Sequence, residues 1–239
     1  MAGHSKWATT KRAKAVTDAK RGAVFTKLGN AITIAAREKG PDPEKNPSLR
    51  AMVEKARKAN MPKDNIERAI KRGSGELGGD IVEELYYEGI LPNNIQVVVK
   101  CLTDNKNRSA SMVRHVLSKF GGSLSAVLWN FDLKGVIVFN KSEIEKTKFS
   151  LEDLELKLID LEIEDLKVED ELIIVFSSLE RFQNIKEFLE EQEIELESAE
   201  IEYVAKDKQD LSPEDEEKMD KFMEELEDIE DVNNYYFNF

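Results

Sequence analysis

The spacing of apolar residues predicts that the first third of the chain is helical. From Asp18 onward, apolar positions recur every three and four residues and form one face of a helix that ends near Gly40. Asn46 followed by Pro47 predicts the start of a second helix, because Asn caps exposed N–H groups and Pro fits the first helical position.

A third helix is expected to begin at Pro62. Asp64 followed by Glu67 has the spacing of a capping box, and Gly73 is expected to end this helix. Three short helices with short connections predict a compact helical domain, and the glycine-rich residues 74–79 predict a linker after it.

After the linker, apolar and polar residues alternate, which is typical of strands. These stretches are interspersed with others that have the helical spacing. Asn93 and Asn94 predict a tight turn between the first two strands, since Asn tolerates left-handed backbone geometry. Residues 132–134 predict a second turn. The predicted elements are strands 84–90 and 95–103, helix 106–120, strands 123–131 and 135–140, helix 150–160, strands 162–168 and 171–176, helix 179–191, strand 194–204, a helix capped by Ser212 and strand 232–239.

The order of these elements predicts the domain organisation. Residues 134–205 contain a complete ferredoxin-like succession of strands and helices, whereas residues 84–131 lack a second helix that the C-terminal segment could supply. The expected fold is α+β, with an N-terminal three-helix domain followed by two ferredoxin-like domains, the third inserted into the second. The expected domains are residues 1–79, residues 80–133 with 206–239, and the insert 134–205.

Composition restricts the classes of site and partner. A single cysteine, Cys101, excludes an intramolecular disulfide and a cysteine zinc site, and His4 and His115 are too far apart in sequence for a His-x-x-x-His pair. No apolar stretch reaches the length of a membrane span, and the basic N-terminus has no apolar run behind it. We therefore expect a cytoplasmic protein with no cofactor, no metal and no membrane partner.

Charge is strongly segregated along the chain. Residues 1–79 hold 18 Lys and Arg against 8 Asp and Glu, a net charge of +10, and residues 100–120 carry +4. Residues 121–239 hold 12 bases against 35 acids, a net charge of −23. Such an asymmetry predicts a polyanionic partner for the basic part, and it leaves a protein partner open for the acidic part.

The sequence offers only weak candidates for catalytic groups. Ser111 and His115 lie four residues apart on one predicted helix, but no oxyanion-binding feature accompanies them. The glutamates of 187–197 indicate a solvated face, and the glycines of 73–79 lack the Lys-Ser/Thr of a phosphate loop. We expect neither an enzyme nor a small-molecule substrate.

The basic residues form the stronger candidate site. Lysine and arginine neutralise phosphates, and an exposed tryptophan stacks on unpaired bases. For Arg68, Lys71 and Arg72 an alternative is that they only complement the negative end of the helix dipole. The candidate nucleic-acid-binding residues are Lys6, Trp7, Lys11, Arg12, Lys14, Lys20, Arg21, Lys27, Arg68, Lys71, Arg72, Lys106, Arg108, Arg114 and Lys119.

Several motifs resemble those of one family, the YebC/PmpR family. They are MAGHSKW at the start, Asp18–Gly22, Phe25–Leu28, Asn60–Gly73, Tyr87–Gly89, Cys101–Arg108, Val113–His115, Ser118–Gly122 and Lys134–Ile137. These motifs cover residues 1 to about 140, and beyond that the resemblance rests on length and element order.

The resemblance implies a helical N-terminal domain, two ferredoxin-like domains and no catalytic activity. It implies a probable transcriptional regulator that binds double-stranded DNA. Relatives that include a mitochondrial translational activator imply the alternative, a ribosome-associated translation factor that contacts ribosomal RNA. A third alternative is an acidic scaffold whose basic arm binds another protein.

Overall fold

The computed structural model describes residues 18–239, with side chains from Gly22 onward. Within this part, one compact unit consists of residues 18–127 and 211–235, and the other consists of residues 128–210 and 236–239. The first unit therefore combines the N-terminal helices with a C-terminal segment.

Three helices form the start of the first unit. Asn46 caps the second helix as predicted, because its side chain accepts a hydrogen bond from Leu49 N at 3.0 Å. The three helices bury a common core that includes Leu28, Ile32 and Val53. The helices are α1 Asp18–Lys39, α2 Pro47–Lys58 and α3 Lys63–Gly73.

The capping box suggested by Asp64 and Glu67 at the start of α3 is wrong, whereas Gly73 ends this helix as predicted. Pro62 occupies the cap position without a side-chain hydrogen bond, so Asp64 and Glu67 do not form a capping box. Gly73 is the last helical residue and is buried against α1, where a Cβ would lie 2.3 Å from Thr33 O. Glycine is thus required at this position for the close approach of two helices.

A four-stranded sheet follows in the same unit, with neighbours in the order β3-β1-β2-β8. Asn93 and Asn94 connect β1 to β2 with φ of 61° and 60°, which confirms the predicted left-handed turn. Two helices belong with this sheet, and their Phe120 and Phe222 rings meet edge to face at 5.3 Å. The elements are β1 Glu83–Leu91, β2 Ile95–Thr103, α4 Lys106–Lys119, β3 Ser123–Leu124, α7 Pro213–Glu227 and β8 Val232–Phe237.

The helical layer packs directly on this sheet. Ile34 of α1 forms a buried cluster with Val82 and Leu102. Asn30 Nδ2 donates to Leu102 O at 3.0 Å, and Arg37 Nη1 donates to Val82 O at 2.6 Å. The predicted linker 74–79 therefore connects two parts that already share a core within one unit.

The second unit contains an antiparallel sheet in the order β5-β6-β4-β7, which is the strand order of a ferredoxin-like domain. Two helices cover one face through a core that includes Ile137, Phe139 and Leu154. The elements are β4 Phe131–Asn140, α5 Leu151–Asp160, β5 Asp165–Glu169, β6 Leu172–Ser177, α6 Leu179–Glu191 and β7 Leu196–Ala205.

The strand predicted at 123–131 and the turn predicted at 132–134 are both wrong. Only Ser123–Leu124 pairs as β3, and β4 runs without interruption from Phe131 to Asn140. Asp132, Leu133 and Lys134 each pair with a residue of β7, so the ladder of β7 keeps this polar stretch extended.

The predicted fold class is confirmed. The chain is α+β, with a helical N-terminal region and two four-stranded sheets, and the C-terminal strand β8 returns to the sheet that contains β1 and β2. The elements between β3 and α7 belong to the other sheet, so one domain is inserted into the other.

Candidate nucleic-acid interface

The clearest free cations lie at the end of α3. This helix buries Ile66, Ala69 and Gly73 on one side, and Arg68 and Lys71 are exposed on the other. Within residues 22–239, neither of these two side chains makes a hydrogen bond or an ion pair. Both positive charges are therefore available to a ligand.

Arg72 belongs to the same turn but is already engaged. Its side chain is 31% exposed, and Nη2 donates to Asp80 O and to Asp104 Oδ2, each at 3.1 Å. Arg72 thus joins the end of α3 to the loop between β2 and α4.

Arg108 connects that loop to the C-terminal segment. It donates to Asp104 at 3.0 Å, and it reaches both carboxylate oxygens of Asp231, from Nε at 3.0 Å and from Nη2 at 2.7 Å. Asp231 is buried, with a side chain only 5% exposed. Arg72, Asp104, Arg108 and Asp231 therefore form one continuous chain of alternating charges, which we call the Arg–Asp network.

The Arg–Asp network shifts the pKa values of Asp104 and Arg108. Partial burial by itself would raise the pKa of Asp104, but hydrogen bonds from Arg72 and Arg108 and their charges lower it below its usual value. The hydrogen bonds to Asp231 raise the pKa of Arg108, against the opposing effect of partial burial. The two aspartates and two arginines cancel in charge, so the network contributes no net attraction for a polyanion.

The other cations of α4 divide into paired and unpaired groups. Lys106 pairs with Glu83 at 2.8 Å, and Lys119 pairs with Glu225 of α7 at 2.5 Å. Arg114 is exposed, and the part of the chain that the structure describes offers it no partner. Three of the four candidate cations on this helix, Lys106, Arg108 and Lys119, are therefore paired with carboxylates.

Lys27 is also engaged within the protein. Its ammonium group donates to Glu227 O, the last carbonyl of α7, at 2.6 Å. A cation is favourable at the C-terminal end of a helix, where the dipole is negative. Lys27 thus ties α1 to α7.

The remaining candidate residues lie outside the described part of the chain, either wholly or in their side chains. Lys6, Trp7, Lys11, Arg12 and Lys14 lie outside the described residues. Lys20 and Arg21 fall within α1, but their side chains are also outside the described set, which begins at Gly22. Their role stays a prediction.

A cleft of about 920 Å³ lies beside the Arg–Asp network in the first unit. Ser111 and His115 of α4 line it, as do the predicted cations Arg72 and Arg108. The C-terminal segment contributes the facing carboxylates of Glu225, Asp228, Glu230 and Asp231. Because these carboxylates outnumber the two guanidinium groups, the cleft is a poor site for phosphate.

The carboxylates opposite α4 were not foreseen from the sequence. Glu225 and Asp231 lie more than 100 positions from their partners Lys119 and Arg108. The only sequence signal was the expected return of the C-terminal helix and strand to this sheet, which brings the acidic 211–235 segment beside α4. That signal indicates that the two segments lie close together, but it does not predict which of their residues form pairs.

The structure also bears on three other features: the thiol of Cys101, a metal site and a membrane-spanning helix. Cys101 is buried in β2, and its burial raises the pKa of the thiol to about 12. No group of three or more His, Cys, Asp and Glu side chains is arranged to hold a metal ion in residues 22–239. No described helix is both long and apolar enough to cross a membrane.

Two family models match the chain. The model described as TACO1/YebC protein N-terminal domain covers residues 5–76, and the model described as TACO1/YebC second and third domain covers residues 82–239. The two matches together span nearly the whole chain.

Curated relatives and a solved structure match over almost their full length. A probable transcriptional regulatory protein of Thermoanaerobacter pseudethanolicus is 43% identical, and the match covers 100% of this chain and 96% of that protein. A probable transcriptional regulatory protein of Thermotoga petrophila is 44% identical over 100% of this chain and 94% of its own. The crystal structure of a conserved hypothetical protein from Aquifex aeolicus matches with a TM-score of 0.82 and 40% identity, covering 98% of this chain and 96% of that one.

Proposed function

The chain belongs to the TACO1/YebC family, and from that premise we propose that it is a transcriptional regulatory protein that binds double-stranded DNA through its basic N-terminal part. It acts by binding rather than by catalysis, and it acts in the cytoplasm where its nucleic-acid partner is found. The exposed side chains of Arg68, Lys71 and Arg114 are the described contacts in this proposal.

The observation that carries the proposal is the combination of charge segregation with free cations. Residues 1–79 have a net charge of +10 in a chain whose total is −13. Arg68 and Lys71 lie in that part, one turn apart on the exposed side of α3, and no carboxylate among the described residues pairs with them. Unpaired cations release counterions from DNA when they meet phosphates, which is the main source of sequence-independent affinity.

The proposed contacts position the protein on the duplex and do not read bases. Arg68 and Lys71 suit phosphate oxygens, whereas base readout needs side chains such as Arg or Asn aligned along a groove. The basic arm, with Lys6, Lys11 and Lys14, supplies further phosphate contacts in this proposal. We therefore expect similar affinity for unrelated duplex sequences.

A matched pair of double variants tests the proposal. Arg68→Ala/Lys71→Ala is expected to weaken binding to two unrelated labelled duplexes alike and to reduce the slope of log affinity against log salt by about 1.8, from ~0.9 per phosphate contact. The measurement is fluorescence anisotropy at several salt concentrations. Because phosphate contacts carry no sequence information, the double variant is also expected to keep the wild-type preference among duplex sequences.

The control removes two positive charges from the second unit, which lies in the acidic part of the chain. Lys148 and Lys157 are exposed, and neither side chain makes a hydrogen bond or an ion pair within residues 22–239. Lys148→Ala/Lys157→Ala is expected to leave the salt slope unchanged. If both double variants reduce the slope equally, or neither does, the end of α3 is not a phosphate-binding surface.

The second candidate is a ribosome-associated translation factor that contacts ribosomal RNA. It is favoured by the same free cations, because phosphate contacts from Arg68 and Lys71 serve duplex RNA as well as DNA. Crosslinking in cells followed by sequencing of the bound nucleic acid separates the two functions. Promoter fragments support regulation of transcription, and ribosomal RNA supports the translation factor.

A further inference from the structure

We infer that Asp104 sets the affinity of the basic surface formed by Arg68, Lys71 and Arg72, which we call the α3 surface, by competing with nucleic-acid phosphate for Arg72. This inference rests on the proposed function. It makes Asp104 an affinity-determining residue, because a carboxylate bound to Arg72 withholds that cation of the α3 surface from phosphate.

The first step is the position of Arg72 beside two free cations. Arg68 and Arg72 are four residues apart on α3, and Lys71 is adjacent in sequence, so all three belong to its last turns. Side chains at this spacing lie on neighbouring positions of a helix surface. A phosphate held by Arg68 or Lys71 therefore arrives close to the guanidinium of Arg72.

The second step is that Arg72 has unused donors. Its contacts with Asp80 O and Asp104 Oδ2 both come from Nη2. Across residues 22–239, no hydrogen bond from its Nε or Nη1 is formed. A guanidinium binds a phosphate best through two parallel donors, and each of its two donor pairs, Nε with Nη2 and Nη1 with Nη2, includes Nη2. A phosphate bound in this way therefore competes with Asp104 for Nη2.

The third step is that Asp104 is a replaceable partner. The side chains of Arg72 and Asp104 are each 31% exposed, so water and salt weaken their attraction. Asp104 also keeps a second cation, since Arg108 donates to its other carboxylate oxygen at 3.0 Å. Loss of Arg72 therefore leaves Asp104 paired, and the exchange strands no carboxylate.

The experiment compares two substitutions that remove one negative charge near Arg72. Asp104→Asn keeps the size of the side chain and frees Arg72, whereas Asp80→Asn leaves Arg72 in place because only the backbone carbonyl of Asp80 contacts it. With a labelled mixed-sequence DNA duplex, Asp104→Asn is expected to steepen the salt slope by about 0.9 and to tighten binding roughly eightfold at 0.1 M salt, the effect of one added phosphate contact. Asp80→Asn is expected to keep the wild-type slope.

Two further variants identify the cation that is freed. Asp104→Glu keeps the charge and is expected to keep the wild-type slope. In an Arg72→Ala background, Asp104→Asn is expected to have no effect on the slope. A persisting effect in that background would assign the freed cation to Arg108 and overturn the inference, as would equal slopes for Asp104→Asn and Asp80→Asn.

A last comparison leaves Asp104 intact and so does not depend on how its variants fold. If Asp104 occupies Arg72 in the free protein, Arg72→Ala reduces the salt slope clearly less than Lys71→Ala does. Equal reductions contradict the inference. Failure of the proposed function looks different, because then Arg68→Ala/Lys71→Ala leaves DNA binding unchanged.

Discussion

At the scale of single residues, two glycines in helices differ in whether a larger side chain would fit. Gly73 faces α1, and a Cβ there would lie 2.3 Å from Thr33 O and 2.8 Å from Ala36 Cβ. Gly29 lies inside α1, and a Cβ there would meet only Met61 Cε, at an ordinary 3.7 Å. The first position therefore requires glycine for packing, while the second has room for alanine.

Alanine at the two positions should change stability in opposite directions. Gly73→Ala is expected to destabilise the protein by about 1–3 kcal/mol, because a backbone carbonyl cannot move aside as a flexible side chain does. Gly29→Ala is expected to stabilise it by about 0.5–1 kcal/mol, since alanine restricts the unfolded chain and favours the helix. Urea denaturation of both variants measures the difference, and a stabilising Gly73→Ala would contradict the packing at that contact.

At the scale of secondary-structure elements, side-chain caps fix where helices begin. Ser150 forms a capping box with Asp153 at the start of α5, and Ser212 caps α7. Asn46 does more, because besides accepting from Leu49 N it donates to Ala35 O and Gly40 O, both at 2.8 Å, from a fully buried position. Asn46 thus joins the end of α1 to the start of α2.

Removal of these caps should have unequal costs. Asn46→Ala is expected to destabilise by about 2–4 kcal/mol, because it loses the cap and two further hydrogen bonds that a fully buried side chain makes to the end of α1. Ser212→Ala, at an exposed cap, is expected to cost about 1 kcal/mol. Asn46→Asp keeps the acceptor but buries a carboxylate oxygen against the carbonyls of Ala35 and Gly40, so it is expected to destabilise at least as much as Asn46→Ala. Thermal unfolding checks the order, and equal losses at both caps would show that the two donor bonds add nothing.

At the scale of the whole molecule, long-range charge pairs join the C-terminal segment to the first unit. Arg108 reaches Asp231 across 123 positions, and the amide of Leu102 donates to Asp231 O at 2.8 Å. Lys119 and Glu225 make a second link between α4 and α7. The last part of the chain is therefore fixed to the sheet by named contacts as well as by its apolar residues.

Breaking the central pair should cost more than replacing it. Arg108→Met leaves the carboxylate of Asp231 buried without a cation, which we expect to destabilise by about 2–3 kcal/mol, reduced from the value for fully buried pairs because Arg108 is 43% exposed. The double variant Arg108→Met/Asp231→Asn is expected to recover part of the loss, since no charge is then buried. Urea denaturation of the two variants gives the comparison, and no recovery in the double variant would mean that packing of Arg108 matters more than its charge.

Local sequence determined much of the fold. The periods of apolar residues predicted the number and order of the α-helices in the described part. The caps at Asn46 and Ser212 were readable because each acts on a backbone group three residues away. The element order also predicted that the C-terminal strand returns to the first sheet. These features depend on neighbours within a few positions or on the order of elements.

Tertiary structure decided which candidate cations are free. The sequence did not distinguish the candidate cations Arg68 and Lys71 from the other candidates. The fold does distinguish them, because it pairs four others with acceptors on other elements: Lys27, Arg72, Arg108 and Lys119. It also extended β4 through residues 132–134, where local composition predicted a turn. Both outcomes have one physical reason: the charge available at a surface and the pairing of a strand depend on groups that folding brings from far along the chain.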